Sequence, residues 1–420
     1  MLDRTQAPPV HAPSKLRLPR PAQYTLSNGI PVYEINLGTQ EIVKIELVFY
    51  AGRPFERAPL VASSTATLLK EGTTVFSAAE IAERLDFYGG TLSASAGMDT
   101  GSLTLYSLNK HLEPLLEVLT AVLTTPTFPQ RELDTHIARS KQRQQVDLER
   151  NDVVAYREVT ERIFGSTHPY GYNSTPALYD ALTRAQLVEH YQRCYTAANC
   201  QVIVSGRLRP DMRALLERTC ANLPLGERLH AEIDATPLPP GTARIELSNS
   251  VQSAIRLGRR LDLEEPDRAH MLVLDVILGG YFGSRLMANI REDKGYTYNI
   301  FSSYDRLMQG AFFYIGTEVS TEVEQLALRE IHNEMERLRE ELIGEEELEM
   351  VRNYMLGTIL TSLDGPFNIS EIVRTLVIDG HSFDRPEQTV AAIRSVDAET
   401  LRALARRVLR PKDMWTVVVG

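Results

Sequence analysis

Cysteine is scarce in this 420-residue chain. Only Cys194, Cys200 and Cys220 occur, odd in number and not spaced as a zinc or redox motif, which excludes a disulfide framework and fits a reducing compartment. Long apolar runs are absent as well. No stretch approaches the roughly 18–20 apolar residues of a membrane span, and the opening MLDRTQAPPVHAPSKLRLPRP has no hydrophobic region of a secretory signal. An excess of positive charge is also lacking: 45 Lys+Arg against 55 Asp+Glu leave a net charge of −10. That balance argues against a nucleic-acid backbone or an anionic membrane as the main partner. These absences predict a soluble, cytoplasmic chain, and the processed form of a precursor would read the same way.

The usual signatures of catalysis are missing too. Zinc hydrolases usually place two histidines on one helical turn, because side chains at i and i+4 share a face. Here the closest two of nine histidines, His168 and His190, are 22 residues apart. No GxSxG elbow, P-loop or GxGxxG unit supports nucleophilic or nucleotide chemistry, and a lone hydrolase with other chemistry has no motif behind it. His168, in HPYG, reads as a turn residue beside Pro169. The run Glu345, Glu346, Glu347 and Glu349 reads as a solvated helix start favoured by the helix dipole.

What is present is enough apolar sequence, 43%, to build proper cores over two or three domains. Residues 1–21, with five prolines and no periodic pattern, are expected to form an extended arm. A second break at 224–241, rich in Pro and Gly, divides the rest into domains over 22–223 and 242–420. The two parts read as copies. Leu187 to Gly206 and Leu401 to Gly420 each span 19 residues, and Ile163, Glu132-Leu133 and His168 find counterparts 213 to 215 positions later. Ile81, Leu85 and Gly90 do so at 205. A near-constant series of offsets indicates internal duplication. Strand-like segments such as 42–50 and 311–317 alternate with helices. Ser77 with Glu80, and Thr321 with Glu324, have capping-box spacing. Leu328, Ile331, Met335, Leu338 and Leu342 form an amphipathic stripe. The fold class expected is α+β, helices packed on a mostly antiparallel sheet, twice over.

One segment carries more. Gly279-Gly280-Tyr281-Phe282-Gly283-Ser284-Arg285-Leu286, followed by Ile290-Arg291-Glu292-Asp293-Lys294-Gly295-Tyr296-Thr297-Tyr298, resembles the C-terminal-domain signature of the pitrilysin/insulinase family of zinc peptidases, the inverzincins. The resemblance extends over nearly all of residues 22–420, through NGIPVY at Asn28, AGRPFE at Ala51, LLKEGT at Leu68, YGGTLSA at Tyr88, TPTFP at Thr125 and HPYG at His168. It implies two homologous domains like those of the mitochondrial processing peptidases, forming half of a clam shell and facing each other across a cavity, with 224–241 as the hinge. It also implies that Arg291 and Tyr298 help bind a peptide and stabilise its tetrahedral intermediate, work suited to a guanidinium fork and a phenol.

In active members HxxEH stands just before the xGT element, and a third ligand, Glu, follows about 76 residues later. Counted on this sequence, those positions hold Ser63, Ala66, Thr67 and Arg143. The metal-site residues are all replaced, so no metal is expected on this chain. The pattern is similar to the non-catalytic subunits of the family, inactive alone, whose HxxEH-bearing partner holds the zinc and receives the Arg/Tyr pair across a heterodimer interface. A homodimer is the expectation when the chain is isolated. The alternative is a catalytically silent structural or binding subunit with the same fold. On the plainer reading of the residues, Arg291 is a cation at a helix C-terminus, Tyr298 a half-buried strand aromatic, Ser63, Ala66 and Thr67 ordinary helix packing, and Arg285 a structural partner for a carboxylate.

Overall fold

The computed structural model describes residues 17–420 except 232, 234–237 and 248–249. Of the expected arm, residues 1–16 therefore lie outside the described residues, as do 232 and 234–237 of the 224–241 linker. Leu18, at the end of that arm, is already buried in the first core.

Two sheets organise the chain. The first contains β1 (Ala22–Thr25), β2 (Pro31–Asn36), β3 (Ile42–Phe49), β4 (Thr91–Ala96), β5 (Gly101–Leu108) and β6 (Cys200–Gly206), in the order β1-β2-β6-β3-β5-β4. The second contains β7 (Thr242–Ile245), β8 (Gln252–Arg260), β9 (Ile300–Leu307), β10 (Gly310–Ser320) and β11 (Trp415–Val419), in the order β7-β11-β8-β10-β9. Apart from the added β1, the two orders coincide. β2 with β6 and β7 with β11 are parallel, and every other pair is antiparallel. The repeated offsets in the sequence thus correspond to repeated topology, the strongest structural sign of a duplication.

In the first half the strands are accompanied by α1 (Val61–Leu68), α2 (Ala78–Tyr88), α3 (Leu112–Thr124), α4 (Gln130–Asp147), α5 (Asn151–Phe164), α6 (Pro176–Asp180), α7 (Arg184–Cys194) and α8 (Met212–Cys220). The second half has α9 (Asp267–Asp275), α10 (Glu324–Glu340), α11 (Glu345–Ser362), α12 (Gly365–Ile378), α13 (Arg385–Ser395) and α14 (Ala398–Val408). Between α9 and β9 the chain is wound as π-helix at Val276–Gly280 and Met287–Asp293. No helix among the described residues is long and apolar enough to cross a membrane.

Local rules account for much of this. Ser77 and Glu80 form the expected capping box at the start of α2, each satisfying a backbone N–H of the other. Of the expected stripe, Ile331, Met335 and Leu338 are buried in the second core, with Ala327 beside them, Leu328 is partly buried against it, and Leu342, past the end of α10, is exposed. The second expected capping box does not form. Thr321 opens a 3-10 turn, α10 begins at Glu324, and the Glu324 carboxylate is buried instead, accepting from Ser253 Oγ at 2.7 Å and from Arg244 Nη1 at 2.8 Å. A buried carboxylate needs charged and hydroxyl partners, and the neighbouring strands supply them where a local cap does not.

The halves are joined by more than the linker. Helix α5, from the first half, packs on β8 and β11 of the second sheet, and α12, from the second half, packs on β6 and β2 of the first. These helices occupy corresponding places in the two copies, so the exchange is reciprocal. Ile369, Val373, Leu376 and Ile378 of α12 belong to the first core. Val154, Ala155, Val159, Ile163 and Phe164 of α5 form a third core with Ala254, Phe312, Val417 and Val419. At about 1.5–3 kcal/mol for each large aliphatic side chain fully buried, these contacts bind the halves more firmly than a flexible hinge would. An ion cluster adds to the α12 seam: the buried Lys44 and Glu46 of β3 lie 3.0 Å apart, Lys44 reaches Glu371, and Arg374 Nε meets Glu46 at 2.9 Å.

Candidate functional site

The four residues counted as replaced metal positions lie on α1 and α4. Ser63 and Thr67, four apart, share the exposed face of α1, while Ala66 is fully buried. Both hydroxyls are engaged within the helix: Ser63 Oγ donates to the Leu60 carbonyl at 3.1 Å, and Thr67 Oγ1 donates to the Ser63 carbonyl at 2.9 Å. The start of α1 is held by Glu56, which accepts from the Ala62 backbone N–H, and by the Tyr172 hydroxyl, which accepts from Leu60 N and donates to Glu56. Burial pushes the Glu56 carboxyl up, against the pull of those donors.

Arg143 is exposed on α4. It lines, together with Thr67, a pocket of about 750 Å³ that also takes in Glu71, Glu132, His136 and Arg139. The structure brings Thr67 and Arg143 to one pocket and leaves Ala66 in the packing beneath. His136 was not singled out from the sequence. Its signal was there: Glu132, His136, Arg139 and Arg143 recur at four, three and four, one face of a helix. His136 Nε2 lies 3.1 Å from Ser64 Oγ, and burial holds the ring below its usual pKa, so it favours the neutral form.

Two engaged hydroxyls, a methyl and a guanidinium do not fit a Zn²⁺ ion, which takes imidazole, thiolate and carboxylate donors. Among the described residues no group of three or more His, Cys, Asp or Glu side chains could hold a metal ion. The cysteines offer no substitute nucleophile, since all three are buried and free and burial pushes the Cys194 thiol up to about 12. His168 sits in the expected turn, buried, with Nδ1 accepting from Tyr170 N at 3.0 Å and its ring stacked on Phe164.

The second corner is built from the Gly279–Tyr298 segment. Gly279 is required by close approach: a Cβ there would meet the backbone N of Ser302 at 2.4 Å, so only glycine lets the π-wound segment lie against β9. Arg285 is the carboxylate partner expected of it, gripping Glu347 with two hydrogen bonds of 2.8 Å. This ties the segment to the first turn of α11, where the acidic run begins a helix as expected. Leu286, Met287 and Ile290 are buried, and Arg291, in the last turn of the π-wound segment, is half-buried. The loop that follows is pinned to β10 through Thr297, whose hydroxyl donates to the Glu318 carbonyl and accepts from Thr317 Oγ1.

Tyr298 is not the half-buried strand residue of the plainer reading. It sits in a bend before β9 with 87% of its surface exposed. The Arg291 guanidinium carbon lies 5.1 Å from the Tyr298 ring centroid and 4.5 Å from that of Phe282. Beside Tyr298 is a smaller pocket of about 250 Å³, reaching Asp152 of α5, Arg256, Phe301 and Glu318. Burial, then the neighbouring Asp152, push the Glu318 carboxyl up. This pocket shares no lining residue with the one containing Thr67 and Arg143.

Comparison with known proteins gives the same family for both halves. Residues 39–169 match the model described as insulinase (peptidase family M16), and residues 181–355 match the model described as the peptidase M16 inactive domain. A Bacillus subtilis protein named as an uncharacterized zinc protease, YmxG, is 23% identical over 403 residues, 92% of this chain and 95% of the relative. A Helicobacter pylori protein named as a non-peptidase homolog, YmxG, is 22% identical over 304 residues, 70% of this chain and 68% of its own. Among solved structures, a peptidase M16 inactive domain from Pseudomonas fluorescens superposes with a TM-score of 0.87 at 24% identity, covering 95% of this chain and 98% of the other. A protease from Helicobacter pylori gives 0.84 at 16% identity, covering 96% and 100%.

Proposed function

The chain belongs to the M16 (insulinase) peptidase family, and from that premise we propose that it is a non-catalytic member working beside a homologous chain with an intact HxxEH zinc site. The partner supplies the zinc, with the activated water and general base that peptide hydrolysis needs. This chain binds no catalytic metal of its own. It contributes a wall for the peptide, and Arg291 and Tyr298 act as donors to the substrate carbonyl across the interface.

The observation that carries this reading is the contrast within one molecule. The corner where ligands would stand holds Ser63, Ala66, Thr67 and Arg143, whereas the exposed Tyr298 and the half-buried Arg291 lie together, with neither side chain in an ion pair or hydrogen bond to the described residues. An exposed phenol beside an unpaired guanidinium is arranged to meet an oxygen acceptor brought from outside. The pocket beside Tyr298 shares no lining residue with the Thr67–Arg143 pocket, and on this reading the pair serves a peptide activated on a second chain.

The test is reconstitution. The isolated protein should not cleave fluorogenic peptides. Mixed with an HxxEH-bearing M16 chain from the same genome, it should form a complex on size-exclusion chromatography and raise that chain's cleavage rate. Metal-dependent cleavage by the rigorously purified chain alone would overturn the non-catalytic assignment. A complex with no gain in cleavage would favour the silent structural subunit.

A further inference from the structure

Phe282 is an apolar ring left 63% exposed, beside a cation. Its position follows from the turn that carries it. Ser284 N donates to the Tyr281 carbonyl at 3.1 Å, closing a turn with Phe282 near its tip, and Tyr281 is anchored by ring contact with Tyr354, centroids 4.9 Å apart. Gly283 leaves room for the Tyr281 ring, since a Cβ there would come within 2.8 Å of it. Held in this way, Phe282 lies closer to the Arg291 guanidinium than Tyr298 does. Arg291 has carboxylates as chain neighbours, Glu292 and Asp293, yet pairs with neither.

We propose that Phe282 is a positioning residue: its ring holds the Arg291 guanidinium beside Tyr298 before any partner or peptide arrives. The inference rests on the reading of Arg291 and Tyr298 as substrate donors. A guanidinium stacked on aromatic faces keeps its in-plane N–H groups free, so the ligand this arrangement favours is an oxygen acceptor approaching in that plane, a peptide carbonyl or carboxylate. Holding a long side chain in advance removes ordering that substrate binding would otherwise have to impose.

Two readouts test the proposal. In the reconstituted complex, Phe282→Leu keeps apolar volume but loses the π face, and it should lower kcat about three- to tenfold with a smaller change in KM, while Phe282→Trp restores the rate. In the isolated chain, the Arg291 Nε–Hε resonance, assigned by its loss in Arg291→Lys, should be shifted upfield by the rings, move toward the free-arginine position in Phe282→Leu and return in Phe282→Trp. A wild-type resonance at the free position, or one unmoved by Phe282→Leu, overturns the proposal whether or not the complex cleaves peptides. An active complex whose kcat ignores Phe282→Leu overturns it as well. Failure of the wild-type complex to cleave, with the resonance behaving as expected, removes the donor reading and leaves the ring-held guanidinium supported.

Discussion

The α1–α4 corner of the first half and the Gly279–Tyr298 corner of the second derive from copies of one fold, yet they are built on opposite terms. In the first, the outward side chains are small hydroxyls bonded within their own helix, and a cation, Arg143, stands across the pocket. In the second, an over-determined frame of close backbone approach at Gly279, the Arg285–Glu347 grip and the Thr297 tether to β10 presents two unengaged donors. Two corners of one duplicated fold are thus held by different means: side chains on the surface of α1 bond only within their own helix, whereas the second corner is fixed by long-range contacts to β9, β10 and α11.

The largest effect expected is in metal affinity. The wild-type chain should retain no zinc at the first corner after dialysis, whereas Ser63→His with Thr67→His and Arg143→Glu places two imidazoles on one helix face opposite a carboxylate. That triple variant should bind Zn²⁺ at micromolar Kd or tighter, about 8 kcal/mol, by titration calorimetry. One equivalent of zinc held tightly by the unaltered corner would break the comparison.

Next in size are the donors of the second corner. In a reconstituted complex, Arg291→Ala or Tyr298→Phe should lower the cleavage rate by about 10²–10³ with assembly and folding unchanged, the usual cost of deleting one donor to a developing oxyanion. Full activity in both variants would return the pair to a structural role.

A pH effect of comparable size should single out the first half. His190, on α7 packed against α1, has Nε2 3.0 Å from the Ala51 carbonyl, and burial pulls its pKa down to about 4. Its unfolded counterpart titrates near 6.5, so between those values the unfolded chain binds the proton and the folded chain does not. Stability present above about pH 6.5 is therefore lost as pH falls toward about 4, by about 3 kcal/mol from this group. Denaturant titrations across that window should show the loss, and His190→Gln, which keeps a donor without the titration, should flatten it. An unchanged pH profile in the variant would assign the loss to other groups.

The smallest contrast concerns packing. Gly279→Ala should cost about 1–3 kcal/mol, because its Cβ collides with the backbone of β9. Ser63→Ala, on an exposed face, should stay within about 0.5 kcal/mol. Equal losses from the two would show that the first corner is as tightly framed as the second.

Features governed by neighbours in the chain were legible in the sequence. The Ser77–Glu80 box, the turn at His168, the helix start at the acidic run and the register of duplication appear where expected, and so does the middle of the α10 stripe at Ile331, Met335 and Leu338, because each depends on near neighbours or on the repeat of about 214 residues; Leu342 falls outside because α10 ends at Glu340. The Thr321–Glu324 box failed for the complementary reason. Ser253 and Arg244, about 70 to 80 residues away in the chain, offered Glu324 stronger partners than its own helix could.

Sequence alone therefore determined the duplicated α+β plan, which rests on spacing, and that Ser63, Ala66, Thr67 and Arg143 bring no imidazole, thiolate or carboxylate to their corner; the candidacy of Arg291 and Tyr298 came from the resemblance of their segment to a family motif. Only the tertiary structure decided that α5 and α12 change places between the halves, that His136 joins the Thr67–Arg143 pocket, and that Tyr298 stands in solvent beside Arg291 instead of in a strand. Those outcomes depend on which apolar face finds which sheet and where backbones can approach. Such contacts link residues that are distant in the chain, and no local period encodes them.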